Sequence, residues 1–203
     1  MASSLPGPHP LPPVDFANRS LPILDLEQGW LRIHVAGKSA LYWGNNPPRF
    51  PPGRWDAPDG SYGVLYVGHD PFAAFIETFG HNTGIRAIQT ADLVTRQLSR
   101  ITTRRPVRLV GVTGPYLAKL GADARLFSAD YGIAQQWSRA ICQHPSAPDG
   151  ILYPSRHDET RLCAAFFDHL QNDVSEQSVG TLAEPQNTAL LASLLDTYGF
   201  GLV

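Results

Sequence analysis

The stretch "YGVLYVGHDPFAAFIETFG", residues 62–80, constrains the fold more than any other part of the chain. Its first half is a short run of β-branched, aliphatic and aromatic residues bounded by glycine, which predicts a strand over 62–68. Its second half carries every local signal for a helix. Asp70 is a good N-cap, Pro71 suits the first helical position and Gly80 suits the stop. Phe72, Phe75, Ile76 and Phe79 recur at i, i+3, i+4 and i+7 and make one apolar stripe. A strand running straight into a capped amphipathic helix calls for a mixed core of sheet and helix.

The flanking sequence extends this pattern. "WLRIHVAG", residues 30–37, reads as a strand in which Leu31, Ile33 and Val35 alternate with Arg32 and His34. "NNPPRFPPGRWDAPDG", residues 45–60, holds five prolines and two glycines and reads as a long irregular loop, a kind of loop that is often functional. Weaker strands are expected at 84–88 and 107–112. Helices are expected around 116–120, 131–143, 159–170 and 187–198. "DGILYPSRHDE", residues 149–159, reads as a turn and a short apolar strand followed by Pro154, Ser155 and Arg156. Strands and helices do not alternate as clean βαβ units, so the fold class is α+β. Residues 1–13 contain five prolines and predict an extended or disordered arm, with the globular part starting between Val14 and Leu26. The domain division is then a proline-rich arm over 1–20 and one domain over 21–203.

Composition excludes several function classes. Apolar residues make up 43% of the 203 positions, enough for a real core. No run of 18 apolar residues predicts a membrane span, and the start of the chain lacks the basic and apolar regions of a secretory signal. A formal net charge of −2 gives no global reason for direct binding to nucleic acid or to a membrane surface. "RITTRRPVR", residues 100–108, is a local basic exception and reads as a solvated strand or loop edge. Cys142 and Cys163 form no CxxC pair. Each sits in an apolar helical pattern and reads as a small buried hydrophobe, which fits a reducing, cytoplasmic compartment.

No dinucleotide-binding glycine motif, P-loop or nucleophile elbow is present. The seven histidines are scattered: His69 and His81 bracket a helix, and no set completes a metal site. Taken one at a time, the remaining polar residues are ordinary. Glu77 lies off the aromatic stripe and reads as a solvated helix carboxylate. For it to act on a ligand, that second helix face must look into a cleft, with Ala73 and Ala74 leaving room. Arg54 sits in the long loop, Arg32 in mid-strand, and Ser155 behind a proline at a strand end.

As an ordered set, these residues resemble the RES domain, a family named for an arginine, a glutamate and a serine. The resemblance runs over about residues 28–170. "LRIHVAG" is similar to the first motif, with Arg32 as its arginine, although Ile33 stands where the family often has tyrosine. "GRWDAPDGSYGVLYVGHDPFAAFIETF" is similar to the glycine–arginine–aromatic segment, the strand carrying Tyr66 and the helix carrying Glu77. "DGILYPSRHD" is similar to the third motif, with Ser155 as its serine. Both Arg49 and Arg54 stand in the second segment. Arg54 keeps the uninterrupted family spacing to Tyr66, whereas Arg49 would need an insertion.

The resemblance implies a mixed, split β-sheet with surrounding helices and an NAD cleft like that of ADP-ribosyltransferase toxins. It implies the toxin of a bacterial toxin–antitoxin module that degrades NAD by hydrolysis or phosphorolysis at the nicotinamide–ribose bond. Alternatives within the resemblance are a mono-ADP-ribosyltransferase acting on a cellular protein and a silent antitoxin-binding module. The implied partner is an antitoxin with an Xre-like DNA-binding part that blocks the cleft, in a complex where the toxin can form a homodimer. NAD is the implied substrate and no metal is called for. Arg32 and Arg54 would contact NAD phosphate and ribose. Tyr66 would stack on nicotinamide or line its pocket. Glu77 would bond the ribose and stabilise its cation, and Ser155 would bond the ribose or orient Glu77. Arg32, Glu77 and Ser155 then form the catalytic set. The acceptor stays open among water, phosphate and a protein side chain.

Overall fold

The structure, a computed structural model, describes residues 9–27, 29–44, 50, 52–128 and 130–203. Its scaffold is one mixed sheet. The strands are β1 (Ile23–Leu26), β2 (Trp30–Val35), β3 (Val64–Gly68), β4 (Ala87–Ile88), β5 (Arg96–Thr103), β6 (Val107–Gly111), β7 (Gly150–Pro154), β8 (Leu162–Phe167), β9 (Val174–Thr181) and β10 (Gly201–Leu202). Eight of them form a sheet in the order β1-β6-β7-β8-β3-β2-β5-β9. The β6/β7 pair is parallel and the other neighbours are antiparallel. β4 and β10 make a separate two-stranded ribbon. The helices are α1 (Pro71–Phe79), α2 (Thr90–Thr95), α3 (Pro115–Leu120), α4 (Arg125–Ser128), α5 (Tyr131–Cys142) and α6 (Thr188–Tyr198).

The sheet is split between β2 and β3. β2 and β5 pair through six residues and β3 and β8 through five, yet β2 and β3 meet at the single pair Leu31–Gly68. Each half has its own cover. Ala134, Trp137 and Ile141 of α5 pack with Val64, Val110, Ile151 and Phe167. Phe75 and Ile76 of α1 and Leu194 of α6 pack with Leu31, Ile33 and Leu98. α1 and α5 therefore flank the opening between β2 and β3.

The helix over 70–80 forms as its local signals predict. Asp70 accepts a bond from the Ala73 N–H at 2.7 Å and Pro71 opens the first turn. Gly80 ends the helix at φ −81°, so its value here is space: a Cβ would come within 2.4 Å of the Ile76 carbonyl oxygen. The two alanines serve different ends. Ala73 is fully buried in the core and packs on Gly68, while Ala74 lines the opening.

One expected helix is a strand. Residues 162–167, "LCAAFF", form β8 rather than the middle of a helix over 159–170. β8 lies in the sheet centre, with Cys163, Ala165 and Phe167 feeding one core and Ala164 and Phe166 the other. A strand buried on both faces has no polar face, so the period of two disappears from its sequence. Cys163 is thus buried in a strand, not in a helix, and burial raises its thiol pKa well above the ordinary range. The strand expected at 84–88 shrinks to Ala87–Ile88. In β2, Leu31 and Ile33 are buried but Val35 is exposed, and His34 is buried with Ser99, whose hydroxyl lies 2.9 Å from Nε2. Packing begins ahead of Val14: His9 is buried with its ring edge-on to Trp137, whose Nε1 donates to the Pro10 carbonyl.

Candidate active site

A cavity of about 720 Å³ opens over the split between β2 and β3. Four of the five residues singled out from the sequence line it: Arg32 from β2, Tyr66 from β3, Glu77 from α1 and Arg54 from the loop after Pro52. The fifth, Ser155, follows β7 and is 1% exposed. Its hydroxyl donates to Glu77 Oε1 at 2.6 Å, across 78 residues of sequence. The helix face that carries Glu77 therefore looks into a cleft rather than into solvent. Arg49 lies outside the described residues.

Glu77 is held through Ser155, which is itself fixed by its own turn. The His157 N–H donates to Ser155 Oγ at 3.1 Å, which directs the hydroxyl proton toward Glu77. The turn bearing Ser155 is tied to the start of α1 through Arg161. The Arg161 carbonyl accepts from the Ser155 N–H at 2.8 Å, and its Nη1 lies 2.9 Å from Asp70 Oδ2, on the residue that caps α1. The same guanidinium stacks 4.5 Å over the Phe72 ring.

The Arg54 loop is equally well anchored, which explains how a proline-rich segment can position a charge. Tyr66 Oη accepts from the Trp55 N–H at 2.8 Å and donates to Asp56 Oδ1 at 3.0 Å. Asp56 Oδ2 accepts from the Gly53 N–H, and the Gln135 side chain donates to the Gly53 carbonyl. Ser138 on α5 donates to the Trp55 carbonyl at 2.6 Å. Gly53 is needed here because a Cβ would stand 2.4 Å from Tyr66 Oη and 2.8 Å from Cζ. So placed, Arg54 is buried, with its guanidinium 4.4 Å from the Tyr131 ring centroid at the start of α5. Burial lowers its pKa, partly offset by Tyr131. Arg32 is fixed by donation from Nη1 to the Ala40 and Tyr42 carbonyls, at 2.9 and 3.1 Å.

The structure adds residues that the pattern of the sequence did not single out. Arg96, Arg156, His81 and Tyr131 also line the cavity. Arg156 had a signal, since it adjoins Ser155 in the third motif. Arg96, at the start of β5, had none. The described wall carries four arginines, one histidine and a single carboxylate, so the cavity is electropositive apart from one acidic point. Such a wall suits an extended anion whose reacting end develops positive charge. Among the described residues no cluster of three metal-ligating side chains occurs.

The family model described as RES domain matches residues 30–187, more than three-quarters of the chain. The chain belongs to the RES domain family. Arg32, Glu77 and Ser155 all fall within the matched span of this RES domain, as do Arg54 and Tyr66. No curated protein matches the chain. Among solved structures, a chain of the M. tuberculosis MbcT–MbcA toxin–antitoxin complex is similar at a TM-score of 0.60 and 16% identity, over 85% of this chain and 91% of that one. The RES domain thus shares its overall fold with a chain of that complex.

Proposed function

We propose that this RES domain is the toxin of a toxin–antitoxin pair and that it degrades NAD by cleaving the nicotinamide–ribose bond. The observation that carries the reading is the convergence of Arg32, Arg54, Tyr66 and Glu77 on one cavity, with Ser155 bonded to Glu77. Breaking that bond leaves neutral nicotinamide and an oxocarbenium-like ribose, so the enzyme needs fixed negative charge beside the ribose and cationic anchors at the pyrophosphate. Arg32 and Arg54 are the anchors, each already held by protein contacts and so ordered before substrate arrives. Tyr66 spends its hydroxyl on the Arg54 loop, which leaves its ring for nicotinamide. Glu77 supplies the negative charge, and Ser155 orients it. The charge that develops on the ribose is positive, so the step calls for a carboxylate and for no metal.

The partner in this reading is an antitoxin with an Xre-like DNA-binding part, which silences the toxin by filling the cavity. Support comes from the shared fold with a chain of a toxin–antitoxin complex. The site of action is the cytoplasm, where NAD is abundant. No helix among the described residues is long and apolar enough to cross a membrane. The test is direct. Purified protein is incubated with NAD, with and without phosphate, and free nicotinamide is followed. Absence of release at any enzyme concentration, with no antitoxin present, refutes the reading. Transfer of label from NAD to a lysate protein without bulk NAD loss redirects it to protein ADP-ribosylation.

A further inference from the structure

The cavity wall carries an ionisable group that these roles leave unused. His81 follows α1 by two residues, four positions after Glu77, and both line the cavity. Its ring is exposed but braced: it meets the His157 ring edge to face, with centroids 5.4 Å apart and planes at 85°. His157 is fixed in turn. Its N–H donates to Ser155 Oγ, the hydroxyl that donates to Glu77, and its Nε2 is buried with no hydrogen-bond partner among the described residues. Burial lowers the His157 pKa, Glu77 opposes that shift, and His81, Arg156 and Arg86 add to it, so the surroundings favour its neutral ring. A neutral ring can support the His81 ring without repelling it when His81 takes up a proton.

Glu77 is poorly suited to accept a proton in the bond-breaking step. Its charge stabilises the ribose cation, and protonation would remove that charge as the cation forms. A second base beside the carboxylate is therefore useful only for an acceptor that must lose a proton. A phosphate dianion needs none; water does.

We propose that His81 is the general base of the reaction and that the acceptor it serves is water. The inference rests on the NAD-cleavage reading above. The water oxygen bonds to the ribose C1′ as the C1′–N bond breaks. The electron pair of that bond goes to the nicotinamide nitrogen and neutralises the pyridinium. One water proton passes to the His81 imidazole and then to solvent, giving ADP-ribose, nicotinamide and one proton.

The experiment compares the full chain with its His81→Ala variant, measuring nicotinamide release from NAD in phosphate-free buffer. His81 is exposed, so its truncation leaves the core intact, and circular dichroism checks that the variant is folded. Loss of a general base lowers kcat by about 10²-fold, within the usual range for such a group, with KM for NAD within about twofold. Added imidazole restores turnover in the variant, and the decline of the wild-type rate on the acid side disappears. A variant with the wild-type rate and pH profile overturns the inference and leaves NAD cleavage standing, as does wild-type release that requires phosphate. A loss in kcat and KM together that imidazole does not restore also overturns it, in favour of a structural role. Absence of release from the wild type overturns both readings.

Discussion

Glu77→Gln isolates the charge of the cavity from its shape. Glutamine keeps the side-chain length, and its carbonyl oxygen can still accept the Ser155 hydroxyl now bonded to Glu77 Oε1 at 2.6 Å. The aromatic stripe of α1, with Phe75 fully buried and Ile76 at 2% exposure, is untouched. Stability should therefore change by no more than about 1 kcal/mol, the scale of one exchanged hydrogen bond. Activity should change far more. A unit charge about 4 Å from the ribose cation is worth about 4 kcal/mol at an effective dielectric near 20. That corresponds to about 10³ in rate, in line with the loss of one preorganised electrostatic group. The assay pairs nicotinamide release with thermal unfolding of the same preparation. Loss of activity with an unchanged melting point supports the assignment. A Glu77→Gln protein that cleaves NAD at the wild-type rate refutes it, because no other carboxylate lines the described cavity wall.

Further outcomes follow from the same geometry. Ser155→Ala removes the bond that orients Glu77 and leaves the His157 N–H without its acceptor; kcat should fall about tenfold, read by steady-state kinetics, and an unchanged kcat would show that the hydroxyl orients nothing. Gly53→Ala puts a Cβ 2.4 Å from Tyr66 Oη, so the Tyr66 bonds to Trp55 and Asp56 must break. Denaturant titration should show a loss of about 1–3 kcal/mol and kinetics a raised KM, whereas wild-type values for both would mean that the Arg54 loop is not pinned as described. Arg105→Ala removes a two-armed ion pair to Asp149, at 2.6 and 2.7 Å, whose carboxylate is 3% exposed. With Arg105 itself 42% exposed, the expected loss is about 1–3 kcal/mol, and no loss by chemical denaturation would place Asp149 in better contact with water than its burial indicates. Burial pushes the Asp149 pKa up, but bonds from Arg105, His169 and the Arg108 N–H outweigh it and hold the carboxyl well below its ordinary 3.8. The folded state then binds the Asp149 proton less readily than the unfolded state. Its stabilisation is complete above about pH 3.8 and is lost as pH falls below that value, so an Asp149→Asn protein should show a flatter acid limb of stability than the wild type.

The legible parts of this chain were those whose reasons are local. The α1 cap, its proline and its stripe depend on neighbours within one or two turns, and they formed as the sequence predicts. β8 was illegible because its environment is set far away in sequence: it pairs between β3 and β7, and a separate core covers each of its faces. Strands β5 and β9 escaped for the converse reason. "RQLSRITT" and "VSEQSVGT" carry many polar residues, and pairing with partners distant in sequence makes them strands: β5 runs between β2 and β9, and β9 lies at the edge of the sheet. The candidate site divides the same way. Periodicity alone put Glu77 on the wrong side of a decision, since an off-stripe carboxylate is ordinarily solvated. What overrides that default is the opening between β2 and β3, where a single register pair joins two separately covered half-sheets. A helix beside such a split has two inward faces, one for the core and one for the cavity, and the sequence of α1 is written for both: phenylalanines on the first, Ala74 and Glu77 on the second. The polar residue on the second face is then fixed by a serine 78 positions away, a pairing that no local pattern can carry.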